Sequence, residues 1–300
     1  MCLPGAMPLV AHAQAATGVT VLMPDIDEPF RGILLRIIEG IGTRVPGRLE
    51  VMTIGPTPPA DLASELRRRS TRVVVALGRQ GLKVIAMLPD SVKVVAGCVV
   101  SVQESEIHGY PVYSLAPDPG LLFNHLRELI PSSRRVTVVI DPRQNAWLVR
   151  RAREAAQTLG LELVAHETEE LPAALRLYPQ ILRASEPSRD ALWLPQDSTT
   201  VVEDAVLPLV LKESWAYNVA VFSSQLSHVK RGALFALYPD EKELGRTMGE
   251  AAVKILSGAK TAEGMLPLRD VRTAINTRSA SHLGIQMPLR TAYDLVFPVP

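Results

Sequence analysis

The residues best suited to chemistry lie in short polar segments that follow apolar, β-branched runs. Pro195-Gln196-Asp197-Ser198-Thr199 follows one such run, and Ser223-Ser224 follows the next along the chain. Carboxylates and hydroxyls at such positions can hydrogen-bond the charged end of a small ligand, or can simply cap the helix that follows. Comparable segments elsewhere are Pro24–Phe30, Gly78–Gly81, Gly97–Val99 and Asp141–Asn145.

Signatures of catalysis are weak in this chain. The six histidines are far apart, without the HxxxH or HxH spacing of a zinc site, and neither a G-x-S-x-G nor a Walker sequence occurs. Gly40-Ile41-Gly42 begins like a dinucleotide fingerprint, but position 45 is valine and the glycines fall at the end of a predicted helix. Cys98 has no histidine placed by sequence to activate it, which favours a buried structural thiol. We therefore expect no enzyme activity, no cofactor and no metal.

The composition is that of an ordinary globular chain. Its 300 residues are 47% hydrophobic and 21% charged, which suggests about two domains. Lysine plus arginine (32) nearly balances aspartate plus glutamate (31), and only 5% of the residues are aromatic. We expect no nucleic-acid partner, because the net charge is only +1 and aromatic residues on which bases could stack are scarce. We also expect no direct membrane insertion, since no later apolar run reaches the ~18 residues of a spanning helix.

The N-terminal segment Met1–Ala15 resembles the end of a secretory signal. It is short and mostly apolar, and Ala13 and Ala15 flank Gln14 as in a cleavage site near Ala15. The positive region of a signal is missing, since no lysine or arginine precedes Arg31. Two interpretations stay open: a start codon placed too far downstream, which leaves a signal-peptide remnant at residues 1–15, or a disordered tail. The first predicts a periplasmic protein whose signal peptide is truncated at its N-terminus.

The apolar runs are predicted strands, with helical patterns between them. They are Val19–Met23, Leu49–Ile54, Arg72–Leu77 and Val92–Gly97 and, after a break, Val136–Ile140, Leu161–Ala165, Ala191–Leu194 and Val219–Phe222. Successive strands begin about 20–30 residues apart, as in βαβ units. Two such sets predict an α/β chain of two doubly wound, flavodoxin-like parallel-sheet lobes. The segment Ser101–Pro119 is rich in turn formers and is predicted to cross between them.

The order of elements changes after Phe222. We predict a strand at Gly232–Tyr238, a helix at Glu241–Ser257 and a last strand at Leu268–Asn276. The remainder, from Thr277 onward, carries a short helix and then loses its pattern. Gly258 is well placed to end the long helix.

Ligands of open parallel sheets bind beyond the carboxyl ends of the strands, where helix N-termini offer free N–H groups. We expect a cleft between the lobes that holds a small polar ligand, plausibly an amino acid or related carboxylate. Hydroxyls would hold its charged end, carboxylates and Asn145 would orient an amine, and aromatic side chains would cover an apolar portion. The candidate ligand-binding residues are Asp25, Phe30, Arg79, Asn145, Trp147, Asp197, Ser198, Thr199, Ser223, Ser224 and Tyr238.

An ordered series of segments resembles the second half of an ABC-transporter substrate-binding protein. The group in question has the type I periplasmic-binding-protein fold and includes binders of tryptophan and other aromatic amino acids. The segments are Pro195–Thr199, Ser223-Ser224, Gly232-Ala233-Leu234, Asp240–Arg246, Ile255–Gly258, Ile275-Asn276 and Leu283–Ile285. The resemblance is clearest over Val136–Pro288 and weaker in the first half.

This resemblance implies two lobes joined by three crossovers. The helix after Tyr238 would return to the first lobe, and the strand near Val271 would belong to the second. The predicted limits are residues 16–115 and 238–266 for lobe 1, residues 116–237 and 267–290 for lobe 2, and a C-terminal tail at 291–300.

Some loops depart from the family pattern. Gly78-Arg79-Gln80-Gly81 replaces small residues, and Gly97-Cys98-Val99-Val100 lacks the usual acidic residue and proline. The family's ligand therefore does not carry over with the fold. Arg79, if it faces the cleft, would favour a carboxylate or another anion.

The resemblance implies a solute-binding protein of an ABC-type importer, which closes on its ligand and is then recognised by a membrane permease. One alternative is a periplasmic sensor that signals to a membrane kinase or cyclase. The second alternative is a two-lobed enzyme such as a glycosyltransferase; the missing nucleotide loop and the export signal count against this alternative.

Overall fold

The computed structural model describes residues 18–57, 59, 61–103, 106–107, 109–286 and 292–298. Its strands are β1 (Val19–Pro24), β2 (Glu50–Ile54), β3 (Val73–Leu77), β4 (Lys93–Val99), β5 (Pro111–Pro117), β6 (Arg135–Ile140), β7 (Glu162–Glu167), β8 (Asp190–Leu194), β9 (Ala220–Ser223), β10 (Phe235–Pro239), β11 (Gly264–Leu268), β12 (Val271–Asn276) and β13 (Leu295–Phe297). Its helices are α1 (Phe30–Gly42), α2 (Leu62–Arg68), α3 (Gly78–Ile85), α4 (Pro119–Leu129), α5 (Pro142–Thr158), α6 (Leu171–Ala184), α7 (Glu203–Tyr217), α8 (Leu226–Arg231), α9 (Glu241–Leu256) and α10 (Thr277–His282).

The first lobe is built on a six-stranded sheet in the order β11-β5-β4-β3-β1-β2. All neighbouring strands of this sheet are parallel. Its central strand, β3, is buried along its whole length, as a parallel sheet covered on both faces requires. Val73 and Val75 pack with α1 and α9, whereas Val74 and Ala76 pack with α2 and α3.

The second lobe is built on a seven-stranded sheet in the order β13-β12-β10-β9-β8-β6-β7. Only the β10–β12 pair is antiparallel among the described strands of this sheet. Trp193 of β8 packs in one core with α4 and α5, and its neighbours Leu192 and Leu194 pack with α6 and α7. The chain is thus a two-lobed α/β protein with the type I periplasmic-binding-protein architecture.

Three crossovers join the lobes, as predicted. The chain passes from β5 to α4, returns from β10 to α9, and passes again from β11 to β12. Each crossover contains an aspartate: Asp118, Asp240 and Asp270 respectively. Because β5, β10 and β11 all end here, the crossovers lie at the carboxyl edges of the two sheets.

Helices α1 and α9 approach each other so closely that glycine is required at the contact. A Cβ atom built on Gly40 would overlap the carbonyl oxygen of Lys242, and one built on Gly245 would overlap that of Ile37. Gly40 therefore serves the packing of two helices, in place of the nucleotide contact that its motif first suggested. Within the described part of the chain, no helix combines the length and apolar character needed to cross a bilayer.

Three strands were missed or misplaced by the sequence-based prediction. The crossing segment Ser101–Pro119 contains a full strand, β5, whose buried Ser114 donates to the Val100 carbonyl over 2.6 Å. Its two prolines and a serine concealed the strand pattern. The single strand predicted at Leu268–Asn276 breaks at residues 269–270 into β11 and β12, which belong to different sheets. In the predicted tail, Leu295–Phe297 forms β13 at the edge of the second sheet, because three residues are too few to show a period.

The remaining sequence-based limits of the lobes stay a prediction. The proposed signal-peptide remnant lies outside the described residues.

Candidate functional site

Asp197 is the centre of a hydrogen-bond network at the carboxyl edge of the second sheet. Its carboxylate is buried and accepts four hydrogen bonds from the protein. Oδ2 accepts from the backbone N–H of Asp141 and from Asn145 Nδ2, both at 2.8 Å. Oδ1 accepts from the backbone N–H groups of Thr199, at 2.9 Å, and Thr200, at 2.8 Å. Asp197 therefore braces the loops after β6 and β8 and is already satisfied by protein donors.

Asp141 forms the second half of this network. It caps α5, and its buried carboxylate accepts from Arg143 Nη2 at 2.7 Å, Thr199 Oγ1 at 2.9 Å and Gln144 Nε2 at 3.2 Å. The Arg143 guanidinium, followed by the Thr199 and Gln144 contacts, holds the pKa of Asp141 well below its usual range although burial opposes this. Sequence reasoning named this loop but chose only Asn145 from it as a candidate, so Asp141, Arg143 and Gln144 were left out, although Asp-Pro after a strand is a helix-start signal.

Ser198 and Thr199 lie at the solvent side of the same edge. The Ser198 hydroxyl is exposed and donates to Gln144 Oε1 over 2.8 Å. The half-buried Thr199 hydroxyl accepts from Gln144 Nε2 over 2.8 Å. Gln144 thus orders both residues, and Ser198 contributes an exposed hydroxyl that an incoming ligand could contact.

Ser223 and Ser224 point into the second lobe instead of toward solvent. Ser223 Oγ donates to the Leu194 carbonyl over 3.1 Å and lies 2.8 Å from His228 Nδ1. Burial lowers the pKa of His228. Because the Ser223 hydroxyl donates to Leu194, its oxygen can accept from an Nδ1–H of His228. Ser224 Oγ accepts from Trp193 Nε1 over 3.2 Å. Both hydroxyls thus bond to protein groups and shape the loop after β9.

Two buried amide oxygens at this edge have no donor among the described residues. These are Oδ1 of Asn145 and Oε1 of Gln196. Asn145 Nδ2 donates to Asp197, and Gln196 Nε2 donates to the Ser224 carbonyl over 3.3 Å. Flipping either amide would therefore place its oxygen against another acceptor oxygen. A buried acceptor without a donor is costly, and both oxygens are therefore suited to a donor group.

The candidates from the first lobe are exposed. Asp25 follows β1, and its backbone N–H donates to the Ile54 carbonyl over 2.9 Å. Phe30 begins α1 with 64% of its surface exposed. Arg79 lies in the first turn of α3 and lines a groove of about 840 Å³ that reaches Tyr110. The nearby Cys98 thiol packs against the core of this lobe, and burial raises its pKa to about 12.

Trp147 and Tyr238 occupy different environments. Trp147 is buried in the core of the second lobe, in the second turn of α5, and does not form an open aromatic wall. Tyr238 is half-buried near the end of β10, opposite Arg272 in the β10–β12 pair. Burial and then the Asp294 carboxylate raise the pKa of Tyr238. Of the two, Tyr238 is better placed at the edge where the crossovers meet.

The crossovers are tied to one another by backbone hydrogen bonds. The N–H of Asp118 donates to the Leu268 carbonyl over 2.8 Å, and that of Asp240 donates to the Asp270 carbonyl over 2.9 Å. Burial raises the pKa of Asp240, but hydrogen bonds from Arg272 and from the backbone outweigh it and leave the pKa below its ordinary value. Burial, together with nearby carboxylates, raises the pKa of Asp270. The crossovers therefore form one connected bundle.

The described residues contain no group of three or more histidine, cysteine, aspartate or glutamate side chains that could hold a metal ion. What the edge offers is hydrogen-bond donors and acceptors on two separate lobes.

Solved structures with the same fold include several binding proteins. The ligand-free, open structure of CD0873, a substrate binding protein with adhesive properties from Clostridium difficile, is 16% identical with a TM-score of 0.65, covering 93% of this chain and 98% of that chain. An ABC domain in complex with L-Trp from Streptococcus pneumonia is 16% identical with a TM-score of 0.56, covering 93% of this chain and 99% of that chain. A conserved domain protein from Vibrio cholerae gives the same identity, TM-score and coverage as the second.

No curated protein matches this chain. The family model described as "ABC transporter substrate binding protein" matches residues 123–292, which is more than half of the chain. Together with the two-lobed fold, this match shows that the chain belongs to the ABC transporter substrate-binding protein family.

Proposed function

We propose that this chain is the periplasmic solute-binding component of an ABC-type importer. It closes its two lobes on a small polar ligand, an amino acid or related carboxylate, and presents the closed form to a membrane permease. The observation that carries this proposal is the common edge of the two sheets. Polar loops from both lobes end there, and the three crossovers provide a connection about which the lobes can close.

The ligand class follows from the groups left without partners at this edge. Arg79 in the first lobe offers a guanidinium, which suits a carboxylate. In the second lobe, the donor-free oxygens of Asn145 and Gln196 suit an ammonium group. An amino acid carries both groups, and closure of the cleft would bring the two lobes onto its opposite ends.

The network residues have a different role from the contact residues in this proposal. Asp197 and Asp141 use their oxygens on protein donors, so they position the loops that meet the ligand. Phe30 and Ser198 are exposed, and we assign them direct contact with the ligand. Ser223 and Ser224, whose hydroxyls bond inward, support the loop after β9.

The proposal is tested by thermal unfolding of residues 16–300 with each of the amino acids and a series of small carboxylates. A ligand at 100 times its Kd stabilises the folded state by about 2.7 kcal/mol. For a chain of this size we expect the midpoint to rise by about 4–5 °C. Small-angle scattering should show a smaller radius of gyration with the same ligand, because the lobes close.

The double variant Phe30→Ala/Ser198→Ala should remove most of this shift. Ser132→Ala is a matched control, since Ser132 is an exposed serine with one hydrogen bond, 2.8 Å to the Ser188 carbonyl, near the amino end of β6. A shift that survives the double variant, or binding without compaction, would contradict the proposed site and mechanism.

A further inference from the structure

A second cavity lies at the opposite edge of the second sheet, near the amino ends of β9 and β10. It has a volume of about 540 Å³ and is enclosed by α7, α8 and α10. We call it the amino-end pocket. Its floor is apolar and consists of Leu211, Val219, Val221 and Leu234. The volume and the apolar floor are those of a small-molecule site, and the distance of a whole sheet separates it from the cleft between the lobes.

One wall of the amino-end pocket is an aromatic pair. The Trp215 indole stacks on the His282 imidazole, with centroids 3.6 Å apart and planes 9° from parallel. His282 Nε2 donates to the Trp215 carbonyl over 3.0 Å, which fixes the imidazole against the indole. Trp215 is nevertheless 51% exposed. A large, fixed and exposed ring offers a flat surface to a flat apolar molecule.

The rim of the amino-end pocket is cationic. Its lining contains Lys212, Lys230, Arg231 and Arg278, and no carboxylate among the described residues. Arg231 is paired with Glu203 at 3.6 Å, and Lys230 lies 5.9 Å from the centroid of the Phe297 ring. For Lys212 and Arg278 the described part of the chain provides no ion-pair partner. Two cations are thus left uncompensated.

These two cations flank the aromatic pair. Lys212 precedes Trp215 by three residues on α7, and Arg278 precedes His282 by four on α10, so each cation shares a helix face with its ring. We propose that the amino-end pocket is a second binding site, for an organic carboxylate with a flat apolar body. The body lies on the floor and against Trp215, and the carboxylate is held by Lys212 and Arg278. This site is separate from the cleft and does not depend on the proposed function.

The test uses 2-naphthoate, a flat aromatic carboxylate, and isothermal titration calorimetry on the full chain. We expect one molecule to bind, and the variant Lys212→Gln/Arg278→Gln to weaken binding at least tenfold. Both side chains are exposed, so the variant should keep the parent's unfolding midpoint. The uncharged 2-naphthalenemethanol lacks the carboxylate. It should bind the parent chain at least tenfold more weakly than 2-naphthoate does, and its affinity should be the same for the parent and the variant.

Arg153→Gln/Lys260→Gln is the matched control, since it removes two exposed positive charges elsewhere. It should bind 2-naphthoate like the parent. The proposal is overturned if 2-naphthoate does not bind at millimolar concentration, or if both double variants weaken binding equally. It is also overturned if Phe30→Ala/Ser198→Ala abolishes the binding and the pocket variant does not, because the probe then occupies the cleft. A ligand-induced shift at the cleft is measured separately, so either proposal can fail alone.

Discussion

Replacing Gly40 by alanine should strongly destabilise the first lobe. The new Cβ would overlap the Lys242 carbonyl oxygen and lie 3.0 Å from both the Arg246 nitrogen and the Gly245 Cα. The shortest of these contacts, to the Lys242 oxygen, would be far shorter than ordinary van der Waals contacts of about 3.5–4.0 Å, so α1 and α9 would have to separate by more than about 1 Å. All three contacted atoms belong to the backbone and cannot rotate away.

Overpacking of this kind costs about 1–3 kcal/mol, and we expect the upper end. Alanine returns up to about 1 kcal/mol through its better helix propensity, which leaves a net loss of about 2 kcal/mol. Gly42→Ala is the matched control on the same helix. Its nearest non-local atom is Leu49 Cδ2 at 3.8 Å, an ordinary contact, so it should be neutral or stabilising by up to about 1 kcal/mol.

The assay is urea and thermal unfolding of the parent and the two variants. The two substitutions should differ by about 2–3 kcal/mol, or about 3–5 °C in midpoint. If they differ by less than about 1 kcal/mol, the close approach of α1 and α9 does not limit the packing and the reasoning is wrong.

Two further predictions concern the carboxylates at the sheet edges. Asp197→Asn should lower the free energy of unfolding in urea by about 2–4 kcal/mol, because the new amide NH₂ would face two of the four donors. As a control, Ser198→Ala at an exposed position should change it by no more than about 0.5 kcal/mol. Equal effects of the two substitutions would show that Asp197 does not brace the loops. Asp270 has a raised pKa in the folded state, so the stability it contributes is complete below the unfolded pKa and is lost as the pH rises through the folded value. Asp270→Asn keeps an acceptor for Thr247 and should raise the unfolding midpoint at pH 7 but not near pH 4; a gain that is independent of pH would contradict this.

Most of the fold could be predicted from the sequence, because parallel strands that are buried on both faces consist of uninterrupted apolar residues. β3 is such a run, and Ala191–Leu194 of β8 is another; every residue of both strands is buried, including Asp190 at the start of β8. β5 was not predicted because its ends are prolines and its buried position 114 is a serine. The Ser114 hydroxyl is satisfied by a hydrogen bond to the Val100 carbonyl, 14 residues away, which no local sequence pattern reveals.

The site was accessible only in part. The sequence places polar residues at the ends of strands, but it does not say which of them turn inward. Ser223 and Ser198 both lie at or just after the carboxyl end of a strand. The Ser223 hydroxyl hydrogen-bonds with His228 and the Leu194 carbonyl and is buried, whereas Ser198 is exposed. The sequence also does not show that the Asp197 carboxylate is satisfied by protein donors, because two of these donors, Asp141 and Asn145, lie 56 and 52 residues away along the chain.

The first lobe receives α9 and β11 from the C-terminal part of the chain, so it cannot be completed until most of the chain has been synthesised. A growing polypeptide makes α1 early, but Leu34, Ile37 and Ile41 have no helix to cover them until residues 241–256 have left the ribosome. The strands β6 to β10 lie within one continuous stretch and meet their partners sooner. The lobe that begins to be synthesised first therefore stays incomplete until most of the second lobe has also been made, and a chain interrupted before α9 would expose the apolar face of α1.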